Sequence, residues 1–132
     1  NGNSGDFISG GHIDKKAKNS ILEKKDLKKN MNKILHYHYE KHYSLWDNLK
    51  TKNNNKIIKN LLLLQLKFIY QDKKLSQYGV AEYLEFENRQ TKYVVNSQRI
   101  YDFYNINWLL PLWNKSFIKF WEEVPMKFKI NQ

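Results

Sequence analysis

The sequence predicts a mostly α-helical chain, and three observations carry that expectation. Apolar residues recur at helical spacing through most of residues 22–123. No run alternates apolar and polar side chains as a half-buried strand would. The strongest loop formers gather mostly towards the ends: four of the five glycines fall within the first twelve residues, and the two prolines are Pro111 and Pro125.

The first twelve residues, Asn1 to His12, form a glycine-rich loop around Asp6. Glycine lets a backbone turn sharply or approach a ligand closely. Backbone N–H groups turned inward by such a loop cradle a phosphate or carboxylate, and an aspartate beside them suits the metal that accompanies phosphates. Read on composition alone, the same stretch is an ordinary turn. Ile13 to Ser20 is polar and lysine-rich and reads as a connector.

From about Leu22 to Tyr43 the positions Leu27, Met31, Ile34, Leu35 and His38 lay one stripe along a helix. Lys24, Lys25, Lys28, Lys29 and Lys33 fall mostly outside it and read as its solvated surface. His38 and His42 stand at i, i+4, a spacing that lets two imidazoles face one metal. No cysteine completes such a site, so packed or surface histidines are the expected reading. The asparagine run within Thr51 to Asn55 is expected to break the helix. In the next helix Ile57, Ile58, Leu61, Leu62, Leu64, Leu66, Phe68 and Ile69 are apolar on more than one face, as in a helix within a larger assembly. Left alone, such a surface predicts a marginal or self-associating fragment.

Asp72 to Gly79 reads as a polar turn. Val80, Ala81, Leu84 and Asn88 then suit a third helix, and Lys92 to Tyr104 a further one ended by Asn105-Ile106-Asn107. Pro111 interrupts the cluster Trp108 to Trp113, because its fixed φ and missing N–H disfavour a continuing helix. Ser116 to Glu123 is a short amphipathic helix closed by Pro125.

Composition narrows the function. Hydrophobic residues make up 41% of the 132 positions and aromatics 15%, too many for a disordered chain. The length suits one domain or part of one. The absence of cysteine excludes disulfides, thiolate metal sites and cysteine nucleophiles. The formal charge of +10 invites nucleic acid. Yet Arg89 and Arg99 are the only arginines, and the lysines are scattered, so nucleic acid is not the expected partner. No stretch is apolar enough to span a membrane, and no basic segment followed by an apolar run opens the chain. A cytoplasmic location is expected, and the lack of an initiating methionine suggests a fragment.

Two motifs read together point further. The synthetase half of asparagine synthetases carries a loop S-G-E-G-(A/S)-D-E-x-x-G-G-Y. Later come an arginine and, twelve residues on, the proline of E-x-R-x-P-F-L-D, then a short helix, a proline and a lysine-bearing segment. Asn1 to His12 resembles that loop in register and keeps Gly2, Asp6, Gly10 and Gly11. Arg99 and Pro111 have the same twelve-residue separation, Pro111-Leu112-Trp113-Asn114 stands for P-F-L-D, and Pro125 to Lys129 resembles the segment after it. The middle of the chain is matched only in helical character.

This resemblance implies a helical C-terminal part of an α/β, Rossmann-like adenine-nucleotide α-hydrolase domain, with the sheet largely missing from residues 1–132. Residues 1–12 would be the loop and 22–132 the helical region. It further implies an ATP-dependent, AMP-forming amide ligase or amidotransferase. Such an enzyme activates a small carboxylate as its AMP ester, and an amine or ammonia then attacks. Asn1 and Gly2 would lie against the nucleotide, and Asp6 would help hold the Mg²⁺–pyrophosphate. Lys127 or Lys129 would approach the phosphates, with Lys129 the catalytic candidate, and Arg99 would brace the scaffold.

The SGGxDS pyrophosphate loop of the family is missing and is expected in an N-terminal part of the same protein. Without that loop this segment alone is expected to be inactive. Asn3 replaces a glutamate that assists amine deprotonation, which asparagine cannot do. Phe7 replaces a second acid, His12 the tyrosine, and Asn107 and Leu109 the E-x-R pair. His12 is therefore a candidate base, since imidazole titrates near neutrality. The alternative is a non-catalytic helical binding or scaffold module that retains the family fold.

Overall fold

A computed structural model of the chain describes residues 3–13, 27–70 and 77–129. These residues are mostly helical and include no strand. Two compact units emerge: Asn1–Ile13 with Leu84–Gln132, and Asp14–Tyr83 between them in sequence. The second unit is thus an insertion into the first, and each is described on its own.

The inserted unit contains α2 (Leu27–His42) and α3 (Lys52–Tyr70), which contact each other. Met31, Ile34, Leu35 and Tyr39 are buried on α2, and Leu62, Leu66 and Ile69 on α3. Both sets follow the 3.6-residue period, so each helix turns one stripe inward. The Tyr39 hydroxyl donates to Asn55 Oδ1, and Lys59 Nζ lies 4.6 Å from the centre of the Tyr39 ring.

The asparagine run does not break α3. Thr51 caps it by accepting from the Asn54 N–H at 3.1 Å, and Asn54 Nδ2 donates to the Leu49 carbonyl at 3.1 Å. Asn53, Asn54 and Asn55 occupy the first turn, where backbone N–H groups lack intrahelical partners and asparagine is well tolerated.

The turn expected over 72–79 is also corrected at its end. Gly79 lies inside α4 (Gln77–Glu85), and residues 72–76 fall outside the described set. This helix continues directly into a π-helical stretch, Phe86–Val95, so two expected segments form one rod. The boundary between the two units falls within α4, after Tyr83.

In the discontinuous unit, α1 (Gly5–Ile8) opens the chain, α5 (Arg99–Phe103) follows the π stretch, and α6 (Lys115–Glu123) comes last. Asn105 ends α5 in the left-handed region at φ 53°, where asparagine is among the few residues at ease. The Ile106 N–H donates to the Tyr101 carbonyl at 2.9 Å and the Asn105 N–H to Asp102 at 3.1 Å, which satisfies the last carbonyls. Pro111 starts a 3₁₀ turn, Pro111–Trp113, where its missing N–H costs nothing. Asn114 caps α6 by accepting from the Ser116 N–H at 2.9 Å, and the extended Val124 ahead of Pro125 ends it.

Candidate functional site

The glycine-rich loop closes on itself as a helix terminus. Gly10 sits at φ 87° and its N–H donates to the Phe7 carbonyl at 2.9 Å, while the Gly11 N–H donates to the Asp6 carbonyl at 2.7 Å. This is a Schellman-type ending, in which a left-handed residue reverses the chain and pairs the last carbonyls of α1. Gly11 is also pressed against that carbonyl: a Cβ there would stand 3.0 Å from Asp6 O. Gly10 is favoured by its left-handed backbone, and a side chain at position 11 would require the Asp6 carbonyl to give way.

Position 4 carries the second left-handed residue. Ser4 has φ 76°, unusual for a side chain with a Cβ. Gly5 has no such need, since a Cβ would meet Leu112 Cδ1 at an ordinary 3.5 Å. What holds Ser4 is a buried bridge. Its Oγ donates to Gln90 Oε1 at 2.8 Å and accepts from Trp113 Nε1 at 2.8 Å. The loop, the middle of the π stretch and the Pro111–Trp113 turn are thereby joined, and beside them Phe86 stacks on Trp113 and tilts against Phe7.

Below that bridge lies a buried polar group. Glu85 is 2% exposed and Gln90 is fully enclosed. Gln90 Nε2 reaches Glu85 Oε1 at 3.5 Å, His12 Nδ1 stands 3.4 Å from the same oxygen, and Arg89 Nε lies 3.9 Å away. A buried carboxylate is tolerable only with cations and donors of this kind around it. The pairing orients the His12 ring, which retains 20% exposure.

The sequence-derived candidates distribute as follows. Asp6 is exposed in α1, and no described residue pairs with its carboxylate. His12 faces Glu85. Lys129 is buried at 2% exposure, whereas Lys127 is exposed with its Nζ 4.9 Å from the centre of the Phe128 ring. Arg99 is exposed, with no partner among the described residues. Phe7 belongs to the core. Asn1 and Gly2 lie outside the described residues.

His38 and His42 belong to the inserted unit, with ring centres 4.8 Å apart in an edge-on contact. His36 is exposed beside Glu40, and Tyr39 stacks on Tyr43. Burial pushes the Tyr43 phenol above its ordinary range.

Glu85 and Gln90 are site residues that sequence reasoning missed. Their only sequence signal is a pair of polar side chains following Leu84 on a helix, which reads as solvated surface. Charge separates the units as well. Sixteen lysines and seven acids fall in Asp14–Tyr83, leaving seven basic and six acidic residues in the discontinuous unit. Among the described residues no helix is long and apolar enough to cross a membrane. No protein-family model, curated protein or solved structure matches the chain.

Proposed function

We propose that the chain is the C-terminal portion of an asparagine synthetase-like, AMP-forming amide ligase, with the basic unit Asp14–Tyr83 inserted into it. One observation carries this reading. The backbone is left-handed at positions 4 and 10, leaves only 3.0 Å for a Cβ at position 11, and accepts one at position 5. That is the pattern of the loop S-G-E-G-(A/S)-D-E-x-x-G-G-Y, which has glycine at its fourth, tenth and eleventh places and alanine or serine at its fifth. Here Ser4 occupies a glycine's conformation and Gly5 a small residue's place.

Two further features support it. The loop and the Pro111–Asn114 segment, far apart in sequence, meet through Ser4 and Trp113. Every motif of the resemblance lies in the discontinuous unit, and the inserted unit falls wholly within the middle that is matched only in helical character.

In this reading the chain's residues divide the work. Mg²⁺ is commonly held by one or two carboxylates together with substrate phosphates, and the exposed, unpaired Asp6 fits that role. Mg²⁺ supplies stabilisation of the charge on the leaving pyrophosphate. The resemblance assigns nucleotide contact to Asn1 and Gly2, which lie outside the described residues. The resemblance assigns the phosphates to Lys129, which is buried, with the exposed Lys127 as the alternative. Asn3 cannot accept a proton, and His12, oriented by the buried Glu85 carboxylate, takes one from the attacking amine.

The complete protein carrying this chain should release pyrophosphate from ATP and Mg²⁺ with at least one acid in a panel of amino and dicarboxylic acids, and Asp6→Asn should abolish that release. ATP binding without pyrophosphate release, or no binding, would overturn the reading in favour of a non-catalytic scaffold. The feature favouring the scaffold is that Ser4, Gln90 and Trp113 turn their polar groups to each other.

A further inference from the structure

The inserted unit presents a surface that the amide-ligase reading does not use. Ile57, Leu61, Leu64 and Phe68 follow i, i+4, i+7, i+11 along α3 and form one stripe, distinct from the buried row Leu62, Leu66 and Ile69. The stripe is open to solvent: Ile57 is 49% exposed, Leu61 57%, Leu64 50% and Phe68 80%. Contiguous exposed aliphatic and aromatic side chains mark an interaction surface.

The charge beside the stripe indicates what covers it. From Lys52 to Tyr70 there are four lysines and no acid. Lys56 and Lys67 share a row alongside the stripe, and Lys52 and Lys59 share one further round the helix. None of the four is paired with a carboxylate among the described residues. Next to Leu64, a groove of about 580 Å³ runs between Met31 and Asn32 of α2 and Asn60, Leu63 and Lys67 of α3.

We propose that this face of α3 docks on an anionic phospholipid surface, with the stripe sunk at the acyl boundary and Lys56 and Lys67 reaching to the headgroups, while Lys59 stays over the Tyr39 ring. A helix with an apolar face bordered by lysines along one side lies in the plane of such an interface. Long lysine side chains cover apolar surface with their stems while their ammonium groups stay at the polar level. A second copy of the chain would set lysine rows against lysine rows. A nucleic acid would take the lysines and leave Phe68 and Leu61 in water. An anionic bilayer satisfies both halves of the face together.

Co-sedimentation of the chain with phosphatidylcholine vesicles, and with phosphatidylcholine–phosphatidylserine vesicles, tests this. Binding about tenfold or more stronger to the anionic vesicles is expected, weakening as salt rises. The double substitution Leu64→Ser with Phe68→Ser should remove most of it. Lys56→Gln with Lys67→Gln should erase the preference for phosphatidylserine. Circular dichroism of each variant should show unchanged helix content, because all four positions are exposed; if the serine pair loses helix, the glutamine pair decides. No binding to the anionic vesicles, or binding indifferent to both pairs, overturns the proposal. So does binding of a single-stranded oligonucleotide at equal strength by the parent and the Leu64→Ser, Phe68→Ser chain. None of these outcomes depends on ATP chemistry.

Discussion

Replacing Ser4 by glycine and, separately, by alanine tests the loop geometry on which the functional reading rests. Both changes delete the Oγ that joins Gln90 Oε1 to Trp113 Nε1, each at 2.8 Å, so both strand the same two buried groups at a cost of about 1–3 kcal/mol. They differ in the backbone. At φ 76° an alanine bears the left-handed penalty of about 1–2 kcal/mol, and glycine does not. Glycine gives back about 0.4–1 kcal/mol through the greater freedom of its unfolded chain. The balance leaves Ser4→Gly more stable than Ser4→Ala by about 1 kcal/mol, the reverse of the usual order. Urea unfolding followed by tryptophan fluorescence resolves this, because a slope of about 1–3 kcal/mol per molar turns it into a midpoint difference of about 0.3–1 M. A Ser4→Ala chain as stable as Ser4→Gly would mean that position 4 is not left-handed and that the match to the family loop fails there.

Other outcomes follow from the same geometry. Gly11→Ala should destabilise by about 1–3 kcal/mol in the same unfolding assay, since its Cβ would meet the Asp6 carbonyl at 3.0 Å and that contact is with backbone. Asn114→Ala should cost about 1 kcal/mol by removing the cap on the Ser116 N–H, and Asn114→Asp should largely preserve stability. The Lys50 ammonium, 2.9 Å from Asp47 Oδ1, holds that carboxyl below the ordinary aspartate range by hydrogen bonding and charge. The pair's stabilisation is therefore present above the unfolded-state aspartate pKa, near 4, and is lost as pH falls through the lower folded value. An NMR titration should show Asp47 returning to the ordinary range in Lys50→Gln.

Much of the helical layout is legible in the sequence, for reasons that lie in single residues. Asn105 and the prolines at 111 and 125 act locally, through φ or a missing N–H, and they stop or start helices where expected. The asparagine run misled because propensity is a weak prior: Thr51 supplies a cap, and asparagines in a first turn cost little. The π stretch Phe86–Val95 has no apolar period that distinguishes it from an α-helix, so its continuity with α4 was hidden.

The turn at the start of the chain was legible in its glycines but not in its partners. Ser4 looked like one small residue among several, and nothing in the sequence links it to Trp113 across 109 positions. Glu85 and Gln90 are buried polar residues, whereas sequence patterns place polar residues outside. The lysine excess and the unmatched middle of the chain were both visible, yet only the division into two units makes them one fact.

The central claim is that this chain belongs to an enzyme that joins a carboxylate to AMP. Incubating the complete protein with ATP, Mg²⁺ and a mixture of amino acids labelled with ¹⁸O in their carboxyl groups, then weighing the AMP by mass spectrometry, tests it most directly. Adenylation followed by attack of an amine leaves one carboxyl oxygen on the phosphate, so the account predicts AMP carrying a single ¹⁸O. Unlabelled AMP, or ATP left intact with every acid, would contradict it.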